Sequence, residues 1–303
     1  MTLGIGIVTF GGGAWLLVES VEGLVKVVRA WAAAAGISGI LLGALVLGFD
    51  IESTAAGVAA TLDDLPGTAL GTSIGAAIFL LTVGLGIAAL VAPFSVRTPP
   101  ALLGAAGAAT ALAIVLSADG GLSRIDGAVL ALAFPPLVAI LVRARGAPAP
   151  AAEGQRPDRL ALRLGAALAG LIVGAELLVF GTGRVVDELG LSETVFGLLV
   201  VAAAVSFEEV VLEALPAYRG FPELSVGNAL GTLIFLLTAS LGVIVLVRPL
   251  AVPDGVVDFH LPALALSAVL AGGLLARGRL GRPEGVLLLG AYGVYVAGAI
   301  AVG

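Results

Sequence analysis

The chain has 303 residues, of which 59% are hydrophobic and only 12% are charged, and its mean hydropathy is +1.15. Because charged residues make up about a quarter of an ordinary soluble domain, this composition excludes that class and indicates a polytopic membrane protein. A net charge of −6 without a basic stripe argues against a nucleic-acid partner. The absence of cysteine excludes disulfides and Cys-ligated metals, and a single histidine leaves no histidine-based metal site, so no cofactor is expected.

Apolar segments, separated by short segments that carry charged residues, make up the whole chain. A helix needs about 20 apolar residues to cross a bilayer, and ten segments meet that length. The fold class we predict is therefore an all-α polytopic membrane protein with ten transmembrane helices. They lie near residues 3–26, 37–62, 67–92, 99–117, 126–142, 160–184, 192–216, 223–247, 259–276 and 284–302. The apolar start is interpreted as the first helix and not as a cleaved signal peptide.

The distribution of lysine and arginine predicts the orientation. With the N-terminus outside, twelve of these residues fall on the cytoplasmic side and three on the other side. Short cytoplasmic loops carry the excess of positive charge in membrane proteins. We therefore predict a multi-pass protein of the cell membrane with both termini outside, and we expect it to be a monomer in the lipid bilayer.

Acidic side chains interrupt two of the apolar segments. The group in the second half of the chain consists of Glu208, Glu209 and Glu213 with Ser206. The group at the matching place in the first half consists of Asp50 and Glu52 with Ser53. An ionised carboxylate at the bilayer centre costs about 2.5 kcal/mol or more, so these groups need pairing, water or a cation. Asp50 and Ser53 share one helical face, as do Glu209 and Glu213. We expect Glu213 to lie nearer the cytoplasmic water than Glu209.

An internal repeat explains why the polar groups occur twice. Residues 144–158 are Pro-, Ala- and Gly-rich and are predicted to be a cytoplasmic linker between residues 1–143 and 159–303. Residues 69–80 match residues 225–236 without a gap, including one Gly-x-x-x-Gly pair in each half, which we interpret as close-packing surfaces. Because each half has five helices, the second enters the membrane from the opposite side. Inverted repeats with polar breaks at the midplane are typical of secondary transporters.

Two motifs resemble those of the cation/calcium antiporter superfamily, the group of sodium/calcium exchangers. Residues 204–209 (AVSFEE) correspond to its G-T-S-x-P-E motif, and residues 227–236 (GNALGTLIFL) to its G-N-x-x-G-S-N-I-F-N motif. The family glutamate maps onto Glu209 in the second half and onto Ser53 in the first. Asp50 stands at the serine of the first-half motif and Glu52 at its proline, and either acid remains a possible ligand.

Other ligand positions depart from the family pattern. The Asn or Asp that closes the second motif is Leu80 in one half and Leu236 in the other, and the serine of that motif is Ala76 and Thr232. Calcium takes six to eight oxygen ligands, so these changes remove several of them. Asn228, the only asparagine in the chain, retains its place in the motif.

The resemblance implies a secondary active antiporter that exchanges Ca²⁺ for Na⁺ or H⁺ by alternating access, and not an enzyme. The cation-binding residues it implies are Asp50, Glu52, Ser53, Ser206, Glu208, Glu209, Asn228 and Thr232. Leu80 and Leu236 keep a proton-coupled or monovalent-cation exchanger open as an alternative. A non-transporting membrane scaffold with the same fold is the alternative from another class.

Overall fold

Apolar helices long enough to cross a membrane dominate the computed structural model, which describes residues 2–36, 38–143, 160–189 and 202–302. Nine such helices occur within these residues. The predicted span at 192–216 is described only from Ala202 onward, where it is helical. With this span the layout has ten transmembrane helices, which we call spans one to ten in chain order.

The first repeat contains spans one to five. Span one is α1 (Thr2–Ala35), and span two consists of α2 (Gly39–Leu42), a π-helical turn (Gly43–Leu47) and α3 (Ile51–Leu62). Span three contains α4 (Pro66–Leu70), α5 (Ala76–Phe79) and α6 (Leu85–Val91), joined by π-helical turns at Gly71–Gly75 and Leu80–Gly84. Strand β1 (Phe94–Ser95), α7 (Pro100–Ser117), β2 (Gly121–Leu122) and α8 (Arg124–Arg143) follow, α7 and α8 being spans four and five.

The second repeat contains spans six to ten. Span six is α9 (Leu160–Leu189), and α10 (Ala202–Tyr218) is the described part of span seven. Span eight joins α11 (Pro222–Phe235) to α12 (Leu241–Val247) through a π-helical turn (Leu236–Ser240), and β3 (Leu250–Ala251) follows. Span nine is a π-helical turn (Val256–His260) and α13 (Leu261–Ala276), and after β4 (Arg279–Leu280) span ten is α14 (Arg282–Val302).

The backbone repeats its irregularities in both halves. The π-helical turns at Leu80–Gly84 and Leu236–Ser240 occupy matching positions in the gap-free alignment of the repeats. Within them Thr82 and Thr238 are fully buried, and each donates its hydroxyl to the carbonyl four residues earlier. A threonine that bonds back to the helix satisfies its own hydroxyl in an apolar surrounding and favours local bending.

Glycines place each repeat against the other in a symmetric way. A Cβ atom on Gly285 of span ten would lie 2.7 Å from the Gly86 carbonyl oxygen of span three. Likewise, a Cβ atom on Gly242 of span eight would lie 2.8 Å from the Gly127 carbonyl oxygen of span five. Only glycine permits such an approach of backbones. Because Gly86 matches Gly242 in the repeat alignment, span three contacts span ten in the same way that span eight contacts span five.

Contacts between loops agree with ten crossings. β1 pairs with β4, which joins the loops after spans three and nine, and β2 pairs with β3, which joins the loops after spans four and eight. Arg248 forms a 2.6 Å ion pair with Asp64, and Arg219 pairs with Glu22. Every one of these contacts connects loops or helix ends that alternation assigns to the same membrane face.

Spans one and six cross each other antiparallel along a seam of small residues. Phe10 lies against Gly181, Gly13 against Gly174, and Ser20 against Gly170, so the residue numbers run in opposite directions. Gly13 is thus a close-packing residue. Span one also extends to Ala35, beyond its predicted end at residue 26, since Lys26 pairs with Glu22 at 3.7 Å and Arg29 stacks 3.5 Å over the Phe221 ring.

Gly13 tests the seam between spans one and six. In Gly13→Ala the new Cβ atom would lie 2.6 Å from the Leu178 backbone nitrogen and 2.8 Å from the Gly174 carbonyl oxygen. Overpacking of this kind costs about 1–3 kcal/mol, so we expect a lower thermal midpoint in detergent. Gly12→Ala is the control, because no described atom lies within 4 Å of its Cβ position. Equal midpoints for both variants would contradict the described seam.

Candidate functional site

Span two is broken at Gly48, Phe49 and Asp50, and the break sets the position of the first acid. Asp50 leaves helical geometry at φ −88° and ψ 78° and caps α3. Its Oδ1 accepts a hydrogen bond from the Ser53 backbone nitrogen at 2.8 Å. Its Oδ2 is buried and has no hydrogen-bond partner in the described ranges of the chain. One carboxylate oxygen therefore holds the helix end, and the other remains free to bind a ligand inside the bundle.

Close packing against span eight explains why the helix breaks there. A Cβ atom on Gly48 would lie 2.8 Å from both the Gly231 carbonyl carbon and the Thr232 nitrogen. A Cβ atom on Gly43 would similarly lie 3.1 Å from the Gly227 Cα atom. The close-packing prediction for Gly227 and Gly231 is thus confirmed. For the matching pair Gly71 and Gly75 it stays a prediction, since no described residue lies within 4 Å of either Cβ position.

Asn228 and Thr232 lie on span eight beside the broken segment. Both are buried, and the Thr232 hydroxyl lies 3.5 Å from the Asn228 Oδ1 atom. That distance is at the outer limit of a hydrogen bond. The two side chains therefore keep most of their capacity to bind a further partner close to the Asp50 break.

The acids of the two repeats are neighbours. Asp50, Glu52 and Glu208 all lie close enough to Glu209 to repel its negative charge. Glu208 and Glu209 are partly buried on α10, whereas Glu52 is exposed and lies near Glu176 of span six. Ser53 is partly buried at the first turn of α3. Ser206 belongs to α10, but its side chain lies outside the described residues.

The acids do not form a complete metal cage. Among the side chains that the structure describes, no group of three acidic or histidine residues converges on one point. Leu80 and Leu236 are 1% and 0% exposed and begin the two symmetric π-helical turns. Their apolar side chains are packed into the core where the resemblance implies oxygen ligands. A cation bound here needs backbone carbonyl or water oxygens in addition to the side chains.

The Glu213 side chain is enclosed in the bundle. It is 0% exposed, and neither carboxylate oxygen has a hydrogen-bond partner among the residues that the structure describes. The carboxyl group lies directly against Gly84 of span three, in the space that a Cβ atom would fill. Along α10 Glu213 does lie one turn nearer than Glu209 to the end at Tyr218, but its side chain is more enclosed than that of Glu209, which is partly buried. Packing of α10 onto span three buries this side chain, and helical periodicity within one segment carries no information about that contact.

A hydroxyl pair that the motif analysis missed joins the two repeats. Thr54, on the turn after Asp50, donates to the Ser240 hydroxyl at 2.8 Å. The signal in the sequence was weak, because Ser240 aligns with Gly84 and the repeats differ at this place. An aromatic cluster seals the same region, with the Phe49 ring centroid 5.2 Å from that of Phe235 and 5.7 Å from that of Phe134.

The family is identified by comparison with known proteins. The sequence model of the sodium/calcium exchanger protein family matches residues 5–143 and 160–301. The chain belongs to the sodium/calcium exchanger family. Solved structures of the sodium-calcium exchanger NCX_Mj share its fold, one of them with a TM-score of 0.86 and 24% identity over 97% of this chain and 98% of that chain. The family and the fold are those of exchangers and not of enzymes, and the predicted ten-helix, inverted-repeat class is confirmed.

Curated relatives match different shares of the chain. The uncharacterized membrane protein MJ0091 of Methanocaldococcus jannaschii is 26% identical over 86% of this chain and 87% of its own length. The inner membrane protein YrbG of Escherichia coli is 33% identical over 39% of this chain, and the sodium/calcium exchanger MaX1 of Methanosarcina acetivorans is 30% identical over 40%. The last two matches span 37% and 35% of the relatives' own lengths.

Two substitutions of Asp50 separate its capping role from its charge. Asn caps a helix about as well as Asp, so Asp50→Asn should keep the thermal midpoint of the unmodified protein in cation-free detergent. Asp50→Ala loses the cap and should be destabilised by about 1 kcal/mol. Both midpoints can be measured by thermal unfolding monitored on gel filtration. A midpoint for Asp50→Asn as low as that for Asp50→Ala would contradict the capping geometry.

Proposed function

We propose that the protein is a secondary active cation antiporter that exchanges Ca²⁺ for Na⁺ or H⁺ by alternating access. One observation carries the proposal: a buried carboxylate oxygen of Asp50 has no hydrogen-bond partner among the described residues and lies near Glu209 of the opposite repeat. Two like charges inside an apolar bundle repel each other unless a cation or a proton neutralises them. A divalent cation between them satisfies both charges at once.

The proposed site takes its ligands from the broken helices and from span eight. Asp50 and Glu209 neutralise the cation, and Ser53, Ser206, Asn228 and Thr232 supply neutral oxygens. We assign Glu52, which is exposed, to the wall of the access path, and Glu208, the chain neighbour of Glu209, to the polar surroundings of the site. We therefore favour Asp50 over Glu52 as the first-half ligand.

Exchange follows if the same carboxylates serve both ions in turn. The two carboxylates hold either one Ca²⁺ or the coupling ions. Once one kind of ion neutralises their charge, they no longer attract the other kind. We assign the movement between two states to spans one and six, whose backbones approach closely at Gly13, Gly174 and Gly181 along their antiparallel seam. A cation carried one way then requires the coupling ion to return, without ATP.

A proton-coupled or monovalent-cation exchanger is the second candidate. The buried apolar side chains of Leu80 and Leu236 favour it, because they leave fewer oxygens than Ca²⁺ ordinarily takes.

The setting of the transporter is part of the proposal. Residues 1–143 and 159–303 would form the two repeats on either side of a cytoplasmic linker at 144–158. The protein would lie in the cell membrane as a monomer with both termini outside, in agreement with the excess of lysine and arginine on the other face. The relatives MaX1 and NCX_Mj carry sodium/calcium exchanger in their names, which supports Ca²⁺ and Na⁺ as the ions to test first.

Radioactive calcium flux into reconstituted vesicles tests the proposal. We expect ⁴⁵Ca²⁺ uptake driven by an outward Na⁺ or H⁺ gradient, and we expect Glu209→Gln to reduce it at least about tenfold, since a lost charge–charge contact in a low dielectric exceeds the ~1.4 kcal/mol that a tenfold change represents. Glu19→Gln is the control, because Glu19 is an exposed glutamate on span one.

The result also decides between the candidates. Uptake of Na⁺ or K⁺ alone, without Ca²⁺, would move the assignment to the monovalent exchanger. No gradient-driven flux of any cation, from protein that is folded in the vesicles, would overturn transport and leave the scaffold.

A further inference from the structure

We infer that Glu213 is a proton-binding site inside the bundle and that the ion exchanged for the cation is a proton held there. The inference rests on the proposed function and names its coupling ion. Its basis is a carboxyl group that is 0% exposed, has no hydrogen-bond partner on either oxygen in the described part of the chain, and packs against the Gly84 backbone. A carboxylate in such a place cannot stay ionised without compensation, so the group takes up a proton.

Among the side chains that the structure describes, no basic group pairs with the Glu213 carboxylate. Residues 80–91 of span three, which pack against α10, contain no titratable side chain. The described titratable side chains on the other helices packed against α10 are Glu19, Glu22, Lys26 and Arg29 on α1, Arg163, Glu176 and Arg184 on α9, and Glu223 on α11. Lys26 pairs with Glu22, and within the described residues the charge that acts on Glu213 is that of Glu209, which has the same sign.

The position is specific to the second repeat. Counting from the aligned motifs, Glu213 corresponds to Gly57, and Gly84 corresponds to Ser240. In the first repeat Gly57 lies against the Ile244 side chain, and the nearby hydroxyls of Thr54 and Ser240 bond to each other. The second repeat replaces that satisfied neutral pair by a single unsatisfied acid. The symmetric fold therefore does not need a glutamate at position 213. A proton-binding site does need one.

Electrostatic coupling to Glu209 gives the sign of the exchange. When no cation is bound, the burial of the side chain and then the negative charge of Glu209 one turn away keep the proton on Glu213. When a cation neutralises Glu209, that repulsion ends, and Glu213 can release its proton to water through the partly buried Glu209 side of the helix. By linkage, protonation of Glu213 then disfavours the cation to the same degree. The carboxylic acid loses one proton and regains one in each cycle.

Proton release on calcium binding tests the inference directly. The purified full chain in weakly buffered detergent is titrated with Ca²⁺, and a pH indicator is read together with bound ⁴⁵Ca²⁺. We expect Glu213→Gln to bind Ca²⁺ and to release about one proton fewer per cation than the unmodified chain. The matched control, Glu19→Gln, should release as many protons as the unmodified chain.

Vesicle assays separate coupling from binding. In Na⁺-free medium an acidic vesicle interior should drive ⁴⁵Ca²⁺ uptake by the unmodified chain. Glu213→Gln should lose this uptake at least tenfold yet retain ⁴⁵Ca²⁺/Ca²⁺ self-exchange, which needs no coupling ion. Unchanged proton release and unchanged gradient-driven uptake in Glu213→Gln would overturn the inference while leaving the antiporter proposal intact.

A chemical probe on the unmodified chain covers the case in which Glu213→Gln does not fold. Dicyclohexylcarbodiimide reacts with protonated carboxyl groups in apolar surroundings, and mass spectrometry should find it on Glu213 but not on Glu19, with less modification when Ca²⁺ is present. Absence of the adduct on Glu213 would overturn the inference. Absence of Ca²⁺ binding and self-exchange in the unmodified chain would instead overturn the proposed function, and the adduct would still decide whether Glu213 holds a proton.

Discussion

The cost of a carboxylate in an apolar bundle governs this structure. Every acid near the middle of a span must be capped, hydrated, paired or protonated. Asp50 meets the requirement halfway, since one oxygen caps α3 and the other remains unsatisfied. Glu52 is exposed and can be hydrated, whereas the enclosed Glu213 neither caps a helix nor is exposed. The acids are thus graded from solvated to fully enclosed, and the two unsatisfied groups are the ones for which a bound ion or proton is physically required.

The scaffold around these acids is symmetric although the acids are not. Equivalent glycine contacts hold span three against span ten and span eight against span five, and equivalent π-helical turns interrupt spans three and eight. Equivalent aromatic pairs accompany them, Phe79 with Tyr292 and Phe235 with Phe134. Backbone geometry is therefore conserved between the halves while the charged side chains differ. An inverted scaffold of this kind can change its ions without changing its helix contacts.

The sequence predicts the fold well for reasons that are physical. Apolar length fixes the number of spans, and the gap-free match of residues 69–80 to 225–236 fixes the inverted repeat. Both depend on periodicity and local spacing, which can be counted directly in the sequence. Gly13, Gly227 and Gly231 were also predictable as packing residues, since glycine in a membrane helix has few other uses. The break at Gly48 was not predicted, because its contact with span eight is not local.

The site was less predictable, because burial depends on which helix packs where. Glu213 and Glu209 share a helical face, and only the contact with Gly84 of span three shows that one is enclosed. Similarly, nothing near Thr54 in the sequence points to Ser240, which lies in the other repeat. In each case the decisive partner comes from the opposite half of the chain. A repeat alignment identifies equivalent residues, but it does not identify these cross-repeat neighbours.

The departures from the family pattern have a common physical direction. Oxygen ligands are absent from span three at Ala76 and Leu80 and from span eight at Leu236, whereas acids are present on span two at Asp50 and on α10 at Glu213. Acidic side chains are therefore concentrated on spans two and seven. These oxygen ligands are missing from spans three and eight, which pack in the core. Neutral oxygens select an ion by its coordination geometry, but carboxylates respond mainly to charge and protonation. A site built this way gives weaker geometric selection of the cation and stronger coupling to protons, which is the property that a buried, unpartnered Glu213 requires.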